Sequence, residues 1–475
     1  MSGSDLNNDK CKMRKFFLRN EILVLFVCFI VSRMVVRQVG IDFKYDVLFT
    51  HWQYLDEQSL QHHLLRSVWY MHGQPPVFNL FVGSILQAGG EYAQQLFQVV
   101  WLLITFCNTL LLLRIGKNLS PHSFLPLIIA LWYLLSPATI LCENELFYTS
   151  FVSMLLLFSV FFLQKYLRKS ARLALPGFFL SLCLLCLSRP VFHLAWLICT
   201  CLLLLVWFFK KPPFRQVLFG SILSLAAVGC FYVKNYFLFG IFSLSSWMGL
   251  NLSRTVFLGI PSRDSASISS VHPFMPVSYY KRFIPAGYGQ RYAGIADRIL
   301  LREMKSDTAI NMNHVEYIPV SKEYLQVSLD FIKAHPAAYF KNVFGAAIIF
   351  FNPATRYYNK IKNYRKLYVY DMVYSCNLSP LMPEKIGKKY LQAISGLPKF
   401  VMYFLVFFYF IYRWVKYRDI SLANLYIVFS ILFIFIISSL LEYGENMRFR
   451  YELEPLFLIL AAWVGTSVLK SRRQF

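Results

Sequence analysis

The chain has 475 residues, of which 57% are hydrophobic, 18% aromatic and only 15% charged, where a soluble globular chain carries about a quarter of its residues as charges. Its formal net charge is +24, yet the basic residues largely flank apolar segments, which fits membrane topology and anionic lipid and speaks against nucleic acid as a partner. Composition thus excludes an ordinary soluble enzyme and leaves an all-α polytopic membrane protein.

Stretches able to cross a hydrocarbon core of about 30 Å fall at 21–38, 97–115, 122–141, 145–164, 173–188, 190–209, 216–236, 398–414, 421–441 and 452–468. Lys10, Lys12, Arg14, Lys15 and Arg19 precede the first of them, so the N-terminus is expected in the cytoplasm. No small-residue cleavage site follows that segment, and no cleavable signal peptide is expected. The basic connections RIGKN, QKYLRKSAR, FKKPPFR and YRWVKYRD and the terminal KSRRQF then all fall inside. One apolar stretch, 337–351, would invert every later loop if it crossed, and is expected to be an interfacial or re-entrant helix. The ten expected spans divide the chain into a membrane module at 1–236 with a first outer loop at 39–96, an outer region at 237–397, and the last helices at 398–475. The cysteines lie mostly in apolar runs, where a thiol packs as a small apolar group.

Sorting polar residues by side puts Asp46, Asp56, Glu57, His72, Gln74, Glu143, Glu145, Arg189, Glu442, Glu445, Arg448 and Arg450 on the outer face. Ionisable groups at a membrane are costly and usually functional. Carboxylates and arginines converging there suit a chemistry in which a carboxylate activates a nucleophile while cations hold a phosphate. Plainer roles compete: Arg448 and Arg450 as snorkelling flanks of the last span, Arg189 as part of a proline turn, and Trp52, Trp69 and Tyr70 as interface anchors rather than sugar platforms. His51, His62, His63 and His72 have no metal-ligand spacing. No Walker or dinucleotide fingerprint is present.

A polytopic chain whose first outer loop runs from an acidic residue after span 1 to the His-x-Gln-Pro-Pro turn at 72–76 resembles the GT-C superfamily of integral-membrane glycosyltransferases. It looks most like the protein O-mannosyltransferases and the bacterial lipid A aminoarabinose transferases. SPATILCENELFYT (136–149), LSRPVFHLAW (187–196) and RFRYELEPLFLILAA (448–462) support the resemblance. It implies transfer of a sugar from a polyprenyl-phosphate donor to a lipid, glycan or protein acceptor, with inversion. It also implies a first-loop aspartate as general base. Asp46 matches by position, the pair Asp56–Glu57 matches the family's adjacent Asp-Glu pattern, and Asp42 is a third candidate. Arg189, Arg448 and Arg450 would hold the donor phosphate through a bidentate fork. His72, Gln74, Glu143 and Glu145 would bind substrate. No cofactor is implied, and the sequence leaves a divalent metal open.

A transporter or a flippase of lipid-linked sugars is the main rival, since both also have many spans. Transporters, however, usually place charges near the midplane in paired repeats. The resemblance favours a bacterial inner membrane with the site facing the periplasm. The sequons at Asn251 and Asn377 would be usable in the alternative, a lumenal site in the endoplasmic reticulum. A cysteine introduced near Gly73 should react with an impermeant reagent from the outer side; reaction only from the cytoplasmic side would contradict this topology.

Overall fold

The structure, a computed structural model, describes residues 3–120, 123–169, 171, 173–257, 273–306, 309–357, 361–376, 388–418 and 420–472; the sequon at Asn377 lies outside them. Among these residues the regular structure is helical, with no strand beyond the isolated bridges Lys44–Glu145 and Met304–Ile310. This is the all-α polytopic architecture that the composition requires.

Among the described residues six stretches are long and apolar enough to cross a membrane: Pro76–Leu119, Thr149–Arg168, Phe214–Phe239, Ala393–Tyr417, Leu422–Leu441 and Asn446–Val468. A seventh arises if Leu125–Leu135 and Pro137–Glu143, which meet at 56°, form one broken span. The bend has a local cause. Pro137 disfavours helical backbone at the residue before it, and Ser136 is extended at ψ 130°. The other three expected spans are helical but fall short. Ala174–Cys186 and Leu194–Phe208 have 13 and 15 residues, fewer than the roughly 20 of a typical crossing. The first helix, Gly3–Gln38, carries charges within its apolar part, and two of them are paired. Glu21 meets Lys117, and Arg33 forks onto Glu143 at 2.7 and 2.8 Å.

The segment around 337–351 forms the 15-residue helix Pro336–Phe350. It packs against Leu422–Leu441 and Asn446–Arg472, with Phe350 edge-on to Phe435 at 4.9 Å. The last helix is the hub of the bundle. It touches the helices Ala93–Leu119, Thr149–Lys169, Leu422–Leu441 and Lys388–Tyr417, and its first turns are almost wholly buried.

The first outer loop folds as the short helices Val47–Thr50, Glu57–His62 and Leu64–Trp69. It is pinned to the bundle at its start. The Lys44 amide donates to the Asn144 carbonyl at 2.8 Å, and the Leu146 amide returns a bond to the Lys44 carbonyl at 3.1 Å. Asn79 ties the middle of the loop to the helix after it, accepting from the Leu55 amide and donating to the Gln53 carbonyl, both at 2.9 Å.

In the outer region, Met248–Val256 lies across Tyr317–Ala334. Their approach needs a glycine, because a Cβ on Gly249 would stand 1.8 Å from the Ser321 carbonyl oxygen. Backbone cannot yield as a side-chain tip can. Gly249→Ala is therefore expected to destabilise the outer region by about 1–3 kcal/mol, the usual overpacking range. Thermal melting in detergent measures this, and an unchanged midpoint would show that the two helices are free to separate.

Candidate functional site

A cavity of about 470 Å³, bordered also by Trp52 and Gln53 of the first outer loop, Tyr148, Tyr232, Phe242 and Phe274, opens where several further chain segments meet. They are the Gln74 turn, the connection 187–194, the loop 243–247 with the helix Met248–Val256, the end of Leu422–Leu441, and the first turn of the last helix.

Arg189 stands in the tight connection after Ala174–Cys186, whose end is marked by the Arg189 amide bonding to the Leu185 carbonyl. The side chain is 2% exposed. It pairs with Glu452 and lies 4.6 Å from the Tyr148 ring and 4.1 Å from the Phe449 ring. Burial pulls its affinity for the proton down to about 10. Arg448 pairs with Glu445 and donates to the Tyr148 hydroxyl at 2.8 Å. The rings of Phe147, Tyr148 and Tyr357 lie 4.7 to 5.1 Å from its guanidinium. Aromatic faces attract a cation but offer no hydrogen bond, so the polar partners of these two guanidiniums include the carboxylates of Glu452 and Glu445 and the Tyr148 hydroxyl.

A third arginine comes from the outer region. Arg254 meets Glu442 at 2.7 Å and Glu445 at 3.8 Å, and it donates to the Tyr443 carbonyl at 3.2 Å. The turn that presents these carboxylates depends on Gly444, whose φ of +99° suits only glycine. Asn446 then caps the helix before it, donating to the Ser438 carbonyl at 2.9 Å and the Glu442 carbonyl at 3.1 Å.

Glu442 and Glu445 differ in character. Burial is the largest influence on Glu442 and lifts it to about 7 despite Arg254. Burial also pushes Glu445 up, but Arg448 and Arg254 outweigh it and hold that carboxyl below the usual range. The two carboxyls thus differ: Glu442 holds its proton more tightly than an ordinary glutamate, and Glu445 less tightly.

The residues singled out from sequence fall into two groups. Arg189, Arg448, Gln74, Glu442 and Glu445 line the cavity. Trp52 and the sequon residue Asn251 line it as well, and the others lie outside its lining. His72 is fully buried behind Gln74, its Nδ1 is 2.9 Å from the Ser246 hydroxyl, and burial lowers it to about 3. Its amide and that of Gly73 both donate to Asn313, at 2.8 and 2.9 Å. The neutral imidazole and this clamp set the turn that carries Gln74.

Asp46 is exposed at the start of the helix Val47–Thr50, two residues beyond the Lys44–Glu145 bridge. Asp56 is buried and accepts from the Ser306 amide at 2.7 Å and from its hydroxyl. Lys305 beside it donates to the His51 carbonyl at 2.6 Å and is lowered by burial to about 7. Glu57 opens the next helix; burial and then its charge push the Tyr45 phenol up to about 12. Asp42 is exposed, 4.0 Å from Lys366.

Glu143 is bound to Arg33, and Glu145 is buried at the bridge to Lys44. Arg450 belongs to a separate buried cluster with Glu454, which also takes Lys399. Among the described residues no group of three His, Cys, Asp or Glu is arranged to hold a metal ion.

Sequence reasoning missed Arg254. It lies in a region without recognisable motif, and only the fold carries it to Glu442. The aromatic lining from Trp247 and Phe274 was also missed, since each is a lone aromatic in a long connection.

No protein-family model matches the chain, and no curated protein matches it. The structure is similar to that of ArnT from Cupriavidus metallidurans in the apo state, at 14% identity over 93% of this chain and 77% of that one, with a TM-score of 0.33. A likeness at that score fixes neither family nor activity.

The state of Glu442 gives a pH prediction. Its folded value lies above the ordinary glutamate value of 4.5, at about 7. The stability it contributes is therefore fully present below the ordinary value and is lost as pH rises through the folded one. Glu442→Gln does not titrate there. Its melting temperature should fall less than that of wild type between pH 5 and pH 8; parallel curves would show that Glu442 is not held near-neutral.

Proposed function

We propose that the chain is a GT-C-type glycosyltransferase that moves a sugar from a polyprenyl-phosphate donor to an acceptor on the non-cytoplasmic side of the membrane. The supporting observation is the make-up of one cavity. Arg189, Arg448 and Arg254 give it a cationic part, Gln53, Gln74 and Asn251 with Trp52 and Trp247 a hydrogen-bonding and aromatic part, and Leu194, Ile437 and Leu441 an aliphatic part. A lipid-linked phosphosugar carries those same three kinds of surface. A transporter for a small polar solute has no use for the aliphatic part.

In this reading Arg189 and Arg448 hold the donor phosphate. The acceptor oxygen attacks the anomeric carbon, the bond from that carbon to the phosphate oxygen breaks, and the acceptor's proton passes to a carboxylate. Charge builds on the departing phosphate, and planar guanidinium forks already in place stabilise it without reorganising. Arg189 and Arg448 are each paired with a carboxylate, so an arriving phosphate must displace one.

The first-loop aspartate remains the proposed base. Asp46 sits at the mouth of the loop and is open to solvent, while Asp56 is committed to Ser306. A second reading is favoured by Glu442, which lines the cavity and is raised to about 7, where a general base works best. A bacterial inner membrane with a periplasmic site fits the resemblance, the lumen of the endoplasmic reticulum being the alternative. Sugar, acceptor and inverting stereochemistry belong to the same proposal.

Transfer of radiolabelled sugar from polyprenyl-phosphate donors by the purified protein tests this. Arg448→Ala should cost about 10²–10³ in rate, as for a lost oxyanion donor, with Arg448→Lys intermediate. Loss of the base costs roughly 10²–10⁴. That loss in Asp46→Asn with Glu442→Gln active identifies the loop aspartate, and the reverse pattern identifies Glu442. Full activity in Arg448→Ala, or no transfer from any such donor, would overturn the proposal.

A further inference from the structure

We propose that Trp52 and Phe274 form the wall on which the donor's sugar ring rests, and that the ring is a neutral pyranose. This inference stands on the glycosyltransferase reading above and adds a substrate class to it. Trp52 stacks on Phe274 at 4.4 Å and 16° between planes. Trp247 meets Phe274 edge-on at 6.2 Å and 73°. The pair joins the first outer loop to the far outer region, and both rings line the cavity.

The wall is linked to the phosphate-holding arginines by an unbroken chain of contacts. The Arg254 guanidinium is 5.7 Å from the Phe274 ring and 3.8 Å from Glu445. Glu445 pairs with Arg448, which reaches Tyr148 at 2.8 Å. A sugar joined to a phosphate lies in the same cavity, and this wall is the aromatic surface of that cavity that Arg254 approaches.

The chemistry fits a sugar ring. An aromatic face is electron-rich and suits the C–H face of a pyranose, while the ring's hydroxyls need partners that both donate and accept. The amides of Gln53, Gln74 and Asn251 border the same cavity and do both. Neutrality follows from charge matching. The charged group at the wall is Arg254, and Glu442 at 2.7 Å and Glu445 at 3.8 Å already balance it. A carboxylate or ammonium on the sugar would be desolvated there against a cation that is already matched.

Binding to the detergent-solubilised full chain, followed by calorimetry, tests the proposal. The probes are undecaprenyl phosphate, its phosphoglucose, phosphomannose and phosphogalactose derivatives, and undecaprenyl-phosphoglucuronate. At least one neutral hexose derivative should bind wild type of order tenfold more tightly than undecaprenyl phosphate, the size expected for one good aromatic contact. The glucuronate should show no such gain. Trp52→Ala should lose the sugar's gain and keep its affinity for undecaprenyl phosphate, which also reports an intact fold, and Trp52→Phe should recover most of it. A gain that survives in Trp52→Ala, or strongest binding by the glucuronate, overturns the inference while leaving the phosphate site standing. Failure of wild type to bind undecaprenyl phosphate at all overturns both.

Discussion

Burial of arginine among aromatic rings is the constraint around which this molecule is organised. Arg189 and Arg448 lie within the protein at the head of the last helix, each on one carboxylate and each against aromatic faces. Leaving either charge without a partner in such surroundings would cost several kcal/mol. The neighbouring elements supply what the two arginines need: Glu452 from the helix itself, Glu445 from the turn held by Gly444 and Asn446, and Tyr148 from the helix junction pinned to Lys44. Paired buried charges add little net stability. In the proposed function, their presence at one cavity preorganises it for an anion.

The same constraint orders the outer layer. Arg254 reaches the cavity because Gly249 lets its helix lie directly on Ser321. Gln74 reaches it because His72 stays neutral and Asn313 holds two consecutive amides. Both are long-range consequences of packing, and both bring groups from distant parts of the chain to Glu442 and Arg448.

How much of this was legible in the sequence follows from the same physics. Apolar runs fix helices locally, and all ten expected segments are helical. The broken span at Ser136–Pro137 and the short lengths of Ala174–Cys186 and Leu194–Phe208 depend on helix ends, which composition marks poorly. Arg189 and Arg448 could be found because a charge beside a membrane segment stands out against an apolar background. Arg450, equally conspicuous, lies instead in a separate cluster with Glu454 and Lys399, since residues two apart on a helix point to different faces. Asp56 looked like half of a catalytic pair, but it is spent on Ser306, a contact across 250 residues that no local pattern announces. Arg254 and Phe274 could not have been found at all: nothing near them in sequence is unusual, and only the fold assembles their surroundings.

The most direct test of the central claim is where a lipid phosphate sits. Photocrosslinking the full-length protein with a polyprenyl phosphate carrying a diazirine next to the phosphate, followed by peptide mapping, reads this without assuming any activity. The account predicts labelling of the connection 187–194 and of the stretch 437–449, reduced by excess unlabelled polyprenyl phosphate and by Arg448→Ala. Labelling confined to the outer surfaces of the bundle, unchanged in that variant, would contradict it.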